Sequence, residues 1–142
     1  MKKTIYYLLS LLSLIVQACS SSDNNSNQDN SLLYRKWYAV SSTMDGTTYY
    51  PPVCVNNGHR DHLDILTSNV ANFYYVDNSN GMNCSDNYAV ESFTFTRNGN
   101  TLNMTFGNGY TSTITISELT VTTLKFVETN SEGSSYRVYS SF

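Results

Sequence analysis

Residues 97–130 read RNGNTLNMTFGNGYTSTITISELTVTTLKFVETN, and this stretch decides the fold class. Turn-forming residues at Asn98-Gly99 and again at residues 107–109 separate runs in which apolar and polar residues alternate. Alternation places the apolar side chains of a run on one face, which is typical of antiparallel strands joined by short hairpins. The apolar positions two apart are Leu102, Met104, Phe106, Ile114, Ile116, Leu124 and Phe126.

The same rhythm runs through the rest of the chain from residue 32 onward. No window places apolar residues at the 3.6-residue spacing of a helix, so we expect strands. Sequential hairpins with one apolar face each predict an all-β fold, an eight-stranded antiparallel up-and-down barrel whose closure removes exposed strand edges. The predicted strands cover residues 35–43, 62–67, 72–77, 88–96, 102–106, 113–116, 123–129 and 135–141, the last with Tyr136 and Val138 as its apolar positions.

Residues 1–18 have the three parts of a secretory signal peptide. Lys2 and Lys3 supply the positive charge, and residues 5–16 form an apolar run shorter than the roughly 20 residues that a membrane-spanning helix needs. The sequence VQAC at residues 16–19 resembles the lipobox of bacterial lipoproteins, in which the cysteine is lipidated and becomes the new N-terminus. We therefore expect cleavage before Cys19 and membrane anchoring through acyl chains, such as palmitate, on that cysteine.

A polar tether, residues 19–31, follows the signal peptide. After Cys19 it reads SSSDNNSNQDNS, with no apolar residue to offset the entropy lost on ordering. The segment resembles the tethers of Bacteroidetes-type lipoproteins. This resemblance implies a lipid-anchored protein of the cell envelope, at the outer membrane, and leaves open which face it occupies. Residues 32–142 are long enough for one domain with a modest core.

Charge and motif content exclude several classes of function. Cleavage before Cys19 removes two of the 8 basic residues and none of the 11 acidic ones, so the formal charge falls from −3 to −5. The remaining Lys and Arg are scattered and form no basic stripe, so we expect no nucleic-acid partner. Neither histidine has a Ser or Cys at the spacing of a nucleophilic motif, and no Gly-rich phosphate loop is present. We expect no enzymatic activity and no cofactor.

Two cysteines remain once Cys19 is lipidated. Cys54 and Cys84 form an even pair in an exported protein, where thiols oxidise. Two cysteines alone are too few for a structural metal site. We therefore expect a disulfide that closes a loop of about 30 residues.

Residues 32–142 resemble the lipocalin-like domains of small Bacteroidetes lipoproteins. The matching pieces are an opening strand with a tryptophan, LLYRKWYAVSS, a Cys-bearing loop, the hairpin HLDILTSNVANFYYVD, a second Cys-bearing loop and the paired strands of residues 97–130. Arg35 stands where the lipocalin signature has glycine. The resemblance implies a barrel that binds a small hydrophobic or amphiphilic molecule. It also implies a late arginine lying over the tryptophan, for which Arg137 over Trp37 is the candidate.

Two functions follow from how the barrel interior is used. If it is hollow, the barrel binds a ligand. Glu91, in phase with Phe93, then either points inward as a ligand contact or lies at a β-bulge or at the wet mouth of the barrel, and we expect the mouth. If bulky side chains fill it, the domain is a structural or protein-interaction module, docking through the loops of residues 49–61 and 78–87. The candidate ligand-binding residues of the barrel interior or mouth are Trp37, Phe73, Tyr75, Glu91, Phe93, Phe95, Met104 and Phe106.

Residues 58–64 are the densest polar cluster of the chain. His59 and His62, together with Asp61 and Asp64, have the side-chain chemistry of a zinc or copper site. The alternative is a solvated loop that leads into a strand, because two histidines three apart in such a segment need not converge. We expect no metal unless these side chains meet.

Overall fold

Nine antiparallel strands make up most of the part of the chain that the computed structural model describes, namely residues 30–66, 69–77, 84 and 88–142. A short 3₁₀ helix, Asn30–Leu32, precedes them and overlaps the last residues of the expected tether. The strands are β1 (Lys36–Met44), β2 (Thr47–Tyr49), β3 (His62–Ile65), β4 (Val70–Val76), β5 (Tyr88–Asn98), β6 (Thr101–Phe106), β7 (Thr111–Leu119), β8 (Thr123–Asn130) and β9 (Gly133–Ser140).

Eight of these strands close into a barrel. From β3 to β9, each strand pairs with the next along the chain, and β1 pairs with both β3 and β9. The ring is all antiparallel, so the predicted eight-stranded up-and-down barrel is confirmed. The sequence pattern did not predict β2, a three-residue strand that pairs with the far half of β1 through the tight turn at Asp45-Gly46. Both turn residues have positive φ, 49° and 76°, as a two-residue hairpin turn requires.

The apolar faces of the strands meet in one core inside the barrel. The alternating positions predicted from residues 97–130 are all buried, and so are most of the corresponding positions of β1, β3, β4 and β5, although Ala39 and Tyr75 are only half-buried. Three further residues, which the periodic pattern did not single out, are buried with them: Leu33, Ala71 and Tyr139. Packed ring contacts run through this core, for example between Phe93 and Phe106, whose centroids lie 5.3 Å apart.

The last strand faces the opposite way from its prediction. Tyr136 is 39% exposed, whereas Ser135 and Tyr139 are buried. Because Arg137 lies two positions from each of these, it also points into the barrel, and the expectation that Tyr136 and Val138 supply the inward face was wrong. The physical reason is that the polar residues of β9 find partners inside the barrel, as described below.

A disulfide between Cys54 and Cys84 fixes the long loop between β2 and β3 to the segment between β4 and β5, as predicted. Both cysteines are buried. Asn56 reinforces the link, because its Nδ2 donates to the Cys84 carbonyl at 2.9 Å and its Oδ1 accepts from the Cys84 amide at 3.2 Å. The loop is therefore held at a fixed position against the barrel.

Replacing both cysteines with alanine is expected to lower the free energy of unfolding by about 3–4 kcal/mol, because the open chain gains the entropy of an unclosed loop of 30 residues. Urea denaturation of the wild type with and without reductant, beside the double variant, measures this change. Reduced wild type and variant should unfold at the same urea concentration. If the reduced wild type and the double variant unfolded at the same urea concentration as the oxidised wild type, the disulfide would add no stability.

The expected signal peptide, Cys19 and nearly all of the tether lie outside the described residues, as does most of the loop at residues 78–87. Within the described part of the chain, no helix has the length and apolar character needed to cross a membrane.

Candidate functional site

One end of the barrel holds a partly enclosed cavity of about 190 Å³. It forms there because β3 is short and pairs with β1 only as far as Tyr38, so the loop before β3 covers the gap beside the rest of β1. We call it the open-end cavity. Its principal lining residues are Ala39 from β1, Asp61 from the loop, Phe73 and Tyr75 from β4, and Arg137 and Tyr139 from β9.

A largely buried ion pair adjoins the open-end cavity through Arg137, which lines it. Arg137 Nη2 and Glu128 Oε2 are 2.6 Å apart, and Glu128 is only 6% exposed. The other carboxylate oxygen of Glu128 lies 3.1 Å from the Ser112 hydroxyl. The Arg137 Nε group donates to Ser135 Oγ at 3.3 Å, and its guanidinium carbon lies 5.7 Å from the centroid of the Phe73 ring. Arg137 is thus fixed by a carboxylate, a hydroxyl and a ring face.

Two tyrosines add hydroxyl groups to the same site. Burial raises the pKa of the Tyr139 and Tyr75 phenols, so both stay neutral and able to donate a hydrogen bond at physiological pH. The Tyr75 hydroxyl donates to Glu91 Oε2 at 3.4 Å, a long hydrogen bond. Glu91 itself is exposed, which fits its expected position at the mouth.

Asp61, from the loop before β3, adds a carboxylate to the lining of the open-end cavity. The Val76 amide donates to its Oδ1 at 2.8 Å, a bond that ties the loop to the end of β4. Burial raises the pKa of Asp61 because the carboxylate loses water on entering the wall of the cavity. The site therefore contains the guanidinium of Arg137, which is paired with Glu128, and the carboxylate of Asp61, which accepts one hydrogen bond from a backbone amide.

Comparison with known proteins agrees with this architecture: residues 33–126, well over half of the chain, match the model of the family described as lipocalin-like domain. The chain belongs to this lipocalin-like domain family. No curated protein and no solved structure matches it significantly. The matched residues end in β8, so Arg137 and Tyr139 lie beyond them.

Two of the eight candidate ligand-binding residues, Phe73 and Tyr75, line the open-end cavity of this lipocalin-like barrel. Glu91 lies at the rim, through its contact with Tyr75. The other five are part of the packed core, with at most 6% of their surface exposed: Trp37, Phe93, Phe95, Met104 and Phe106. Among the described residues, side chains therefore fill most of the interior of the lipocalin-like barrel, and the open-end cavity lies at one end of it.

The site residues that the sequence analysis missed are polar and inward-facing. Ser112 is in phase with Ile114 on β7, and Glu128 is in phase with Phe126 on β8. A test for polar residues in phase with an apolar face would have found both. Such residues are costly to bury unless they are hydrogen-bonded, so two of them on neighbouring strands indicate a polar network inside the barrel.

The arginine that lies over Trp37 is Arg35, at 5.4 Å from the ring, so the assignment of Arg137 to that position was wrong. Arg137 pairs with Ser42, five positions further along β1 than Trp37, and therefore lies near the other end of the barrel. The neighbouring Arg35 reaches the Trp37 ring from the chain that enters β1, and its Nη1 donates to the Val121 carbonyl at 2.9 Å.

The two histidines of the expected metal cluster pack against aromatic rings at the start of β3 and in the loop before it, and His62 is also among the residues that line the open-end cavity. His62 is buried there, stacked on Tyr74 with ring centroids 4.4 Å apart and planes within 8°. The His59 ring lies 5.0 Å from that of Tyr88. Among the described residues, no three His, Cys, Asp or Glu side chains are arranged to hold a metal ion. The histidines pack the loop against the barrel wall.

Acidification from pH 7.5 to 5.5 is expected to destabilise the domain through His62. Burial lowers the pKa of His62, so the folded state binds fewer protons than the unfolded state below the usual pKa of 6.5. The stability that neutral His62 contributes is fully present above pH 6.5. It is lost as the pH falls toward the lowered pKa of His62 in the folded state. The urea concentration at half-unfolding is measured for the wild type and for His62→Gln at several pH values in this range. The contribution of His62 is the extra fall in this midpoint that the wild type shows on acidification. Parallel curves would contradict it.

Proposed function

We propose that this protein binds a small amphiphilic molecule in the open-end cavity. The observation that supports the proposal is the convergence of Arg137, Tyr139, Tyr75 and Asp61 on one partly enclosed space with an aromatic wall. Ligand sites typically combine apolar walls with a few polar groups that fix orientation. The lipocalin-like family supplies the scaffold, and its fold alone does not name a ligand.

The volume of the cavity limits the size of the ligand that it can hold. Drug-sized molecules generally occupy about 300–1,000 Å³, whereas the open-end cavity has about 190 Å³. The core beyond it is closed by packed side chains, including Phe126 and Met104, so a long apolar chain has no room deeper in the barrel. The ligand is therefore a small molecule, or the polar head of a larger one whose tail lies outside.

We further propose that binding takes place at the cell envelope. The charged n-region, the apolar run and the VQAC sequence at residues 16–19 support export and lipid attachment at Cys19, as in Bacteroidetes-type lipoproteins at the outer membrane. Labelling with a radioactive or alkyne-tagged fatty acid in the native host tests the anchor. Label on the wild type and none on Cys19→Ser is expected, and label on both would contradict it.

Native mass spectrometry of the protein purified from its host's envelope fraction tests the binding function. We expect a discrete added mass that is lost in Ala39→Phe, because the new ring fills the cavity from β1. Val40→Phe is the matched control: Val40 is the next residue, is 41% exposed and lies outside the cavity lining. Bare mass in repeated wild-type preparations, with no uptake from a host lipid extract, would contradict the proposal.

A specific observation favours a second candidate, a protein-interaction module. The core is largely filled, and the loop near β2 exposes large side chains, notably Tyr50 at 70% and Val55 at 67%. Exposed apolar groups of this kind mark interaction sites when they are contiguous. A bare mass, with cross-linking to one envelope protein that is lost in Tyr50→Ser and Val55→Ser, would support this function in place of ligand binding.

A further inference from the structure

The open-end cavity contains a carboxylate that no cation pairs with in the described part of the chain. Asp61 lines the cavity and accepts one hydrogen bond, from the Val76 amide to Oδ1. Among the described residues, one salt bridge joins Lys125 to Glu118 and another joins Arg137 to Glu128. Neither salt bridge includes Asp61. A partly buried carboxylate that forms no ion pair is unfavourable, and a cationic ligand group in contact with it would relieve the cost.

Arg137 meets this need only in part: its charge acts on Asp61 through space and lowers the pKa of that carboxyl, but the two side chains form no ion pair. Its guanidinium lies 2.6 Å from Glu128, and its Nε donates to Ser135, so its positive charge is balanced within the barrel wall. Taken together, Arg137, Glu128 and Asp61 carry a formal charge of −1 when ionised. Glu91, at the rim beside Tyr75, adds a further negative charge. The field at the cavity therefore favours a cation over an anion.

The aromatic residues in the walls of the cavity also favour a cationic ligand. The cavity is lined by several aromatic rings, among them Phe73, Tyr75 and Tyr139. Aromatic faces carry partial negative charge and attract ammonium groups that lie within about 6 Å of a ring centroid. A carboxylate among several ring faces is an arrangement that binds a protonated amine through both contacts at once.

We infer that the ligand of the open-end cavity carries a protonated amine, with its ammonium group against Asp61 and the surrounding rings. This inference rests on the proposed binding function and adds the chemical class of the ligand. A ligand carboxylate would meet the unpaired charge of Asp61. A neutral hydroxyl would leave that charge without a counter-ion.

Three probes of similar size and different charge test the inference: 2-phenylethylammonium, 2-phenylethanol and phenylacetate. Each is titrated at pH 7 into the ¹⁵N-labelled protein, and the Val76 amide is followed because it donates to Asp61. We expect the ammonium probe to bind about tenfold more tightly than the alcohol, and phenylacetate to bind more weakly than either. Equal binding of the ammonium and the alcohol, or tighter binding of phenylacetate, would overturn the inference.

Asp61→Asn removes the charge and keeps an oxygen for the Val76 amide, so the fold should survive, as an unchanged amide spectrum elsewhere would confirm. We expect the preference for the ammonium probe to disappear in this variant. Asp64→Asn is the matched control, because Asp64 undergoes the same charge change on the outer face of β3. An equal loss in both variants would show a general charge effect and overturn the inference.

The failure of this inference is distinguishable from failure of the proposed function. If none of the three probes shifts the Val76 amide, the ammonium assignment fails. The binding function is judged separately by the mass bound to protein from the host. A bound molecule without a basic nitrogen would support the binding function and would overturn the inference that the ligand is an amine.

Discussion

Replacing Glu128 with alanine is expected to lower the free energy of unfolding by about 3–5 kcal/mol, because it leaves the Arg137 guanidinium inside the barrel without its counter-charge. The Ser112 hydroxyl, which lies 3.1 Å from the same carboxylate, loses a partner as well. Urea denaturation followed by far-ultraviolet circular dichroism measures the change.

Two further variants separate the charge effect from the loss of side-chain volume. The double variant Glu128→Ala/Arg137→Met removes both charges and should recover most of the lost stability, since a buried ion pair replaced by apolar residues is often close to neutral. Glu118→Ala breaks the exposed pair with Lys125, at 2.7 Å, and should change stability little. A double variant as unstable as the single one would show that the carboxylate acts through packing alone.

The sequence was a good guide to the barrel because most inward positions of the strands before β9 are apolar, with Ser112 and Glu128 as polar exceptions. Where that relation holds, as from Leu102 to Phe106, alternation predicts both the strand and its buried face. It fails at β9, whose inward positions are Ser135, Arg137 and Tyr139. Their burial depends on Glu128 in the neighbouring strand, a partner that a reading of one strand at a time does not include.

Two other features depend on tertiary structure and therefore escaped prediction. The strand β2 has three exposed residues and no apolar face, and it forms because the Asp45-Gly46 turn returns the backbone to β1. The open-end cavity results from the length difference between β1 and β3, with a disulfide-bound loop over the gap. The sequence analysis singled out Asp61 and Arg137 for separate roles, and only closure of the barrel brings them to one cavity.

The second large effect is expected at the opposite end of the barrel. Trp37 is fully buried, and its Nε1 group donates to the Leu33 carbonyl at 3.0 Å. Truncation to alanine opens a cavity and leaves that carbonyl without its partner, so the free energy of unfolding should fall by about 3–5 kcal/mol. Because Trp37 is the only tryptophan, unfolding of the variant has to be followed by circular dichroism rather than by tryptophan fluorescence.

Graded variants identify which contact of Trp37 is responsible. Trp37→Phe keeps most of the apolar volume and loses the bond to Leu33, so a smaller loss of about 1–2 kcal/mol is expected. Arg35→Ala removes the guanidinium that lies 5.4 Å from the ring and should lose about 0.5–1 kcal/mol, the strength of one exposed cation–π contact. If Arg35→Ala were as damaging as Trp37→Ala, the arginine rather than ring burial would hold this end closed. We expect truncation of the Trp37 ring to be far more destabilising than loss of Arg35. That order would mean that the packing of Trp37 stabilises this end of the barrel and that Arg35, which lies over the ring, contributes little.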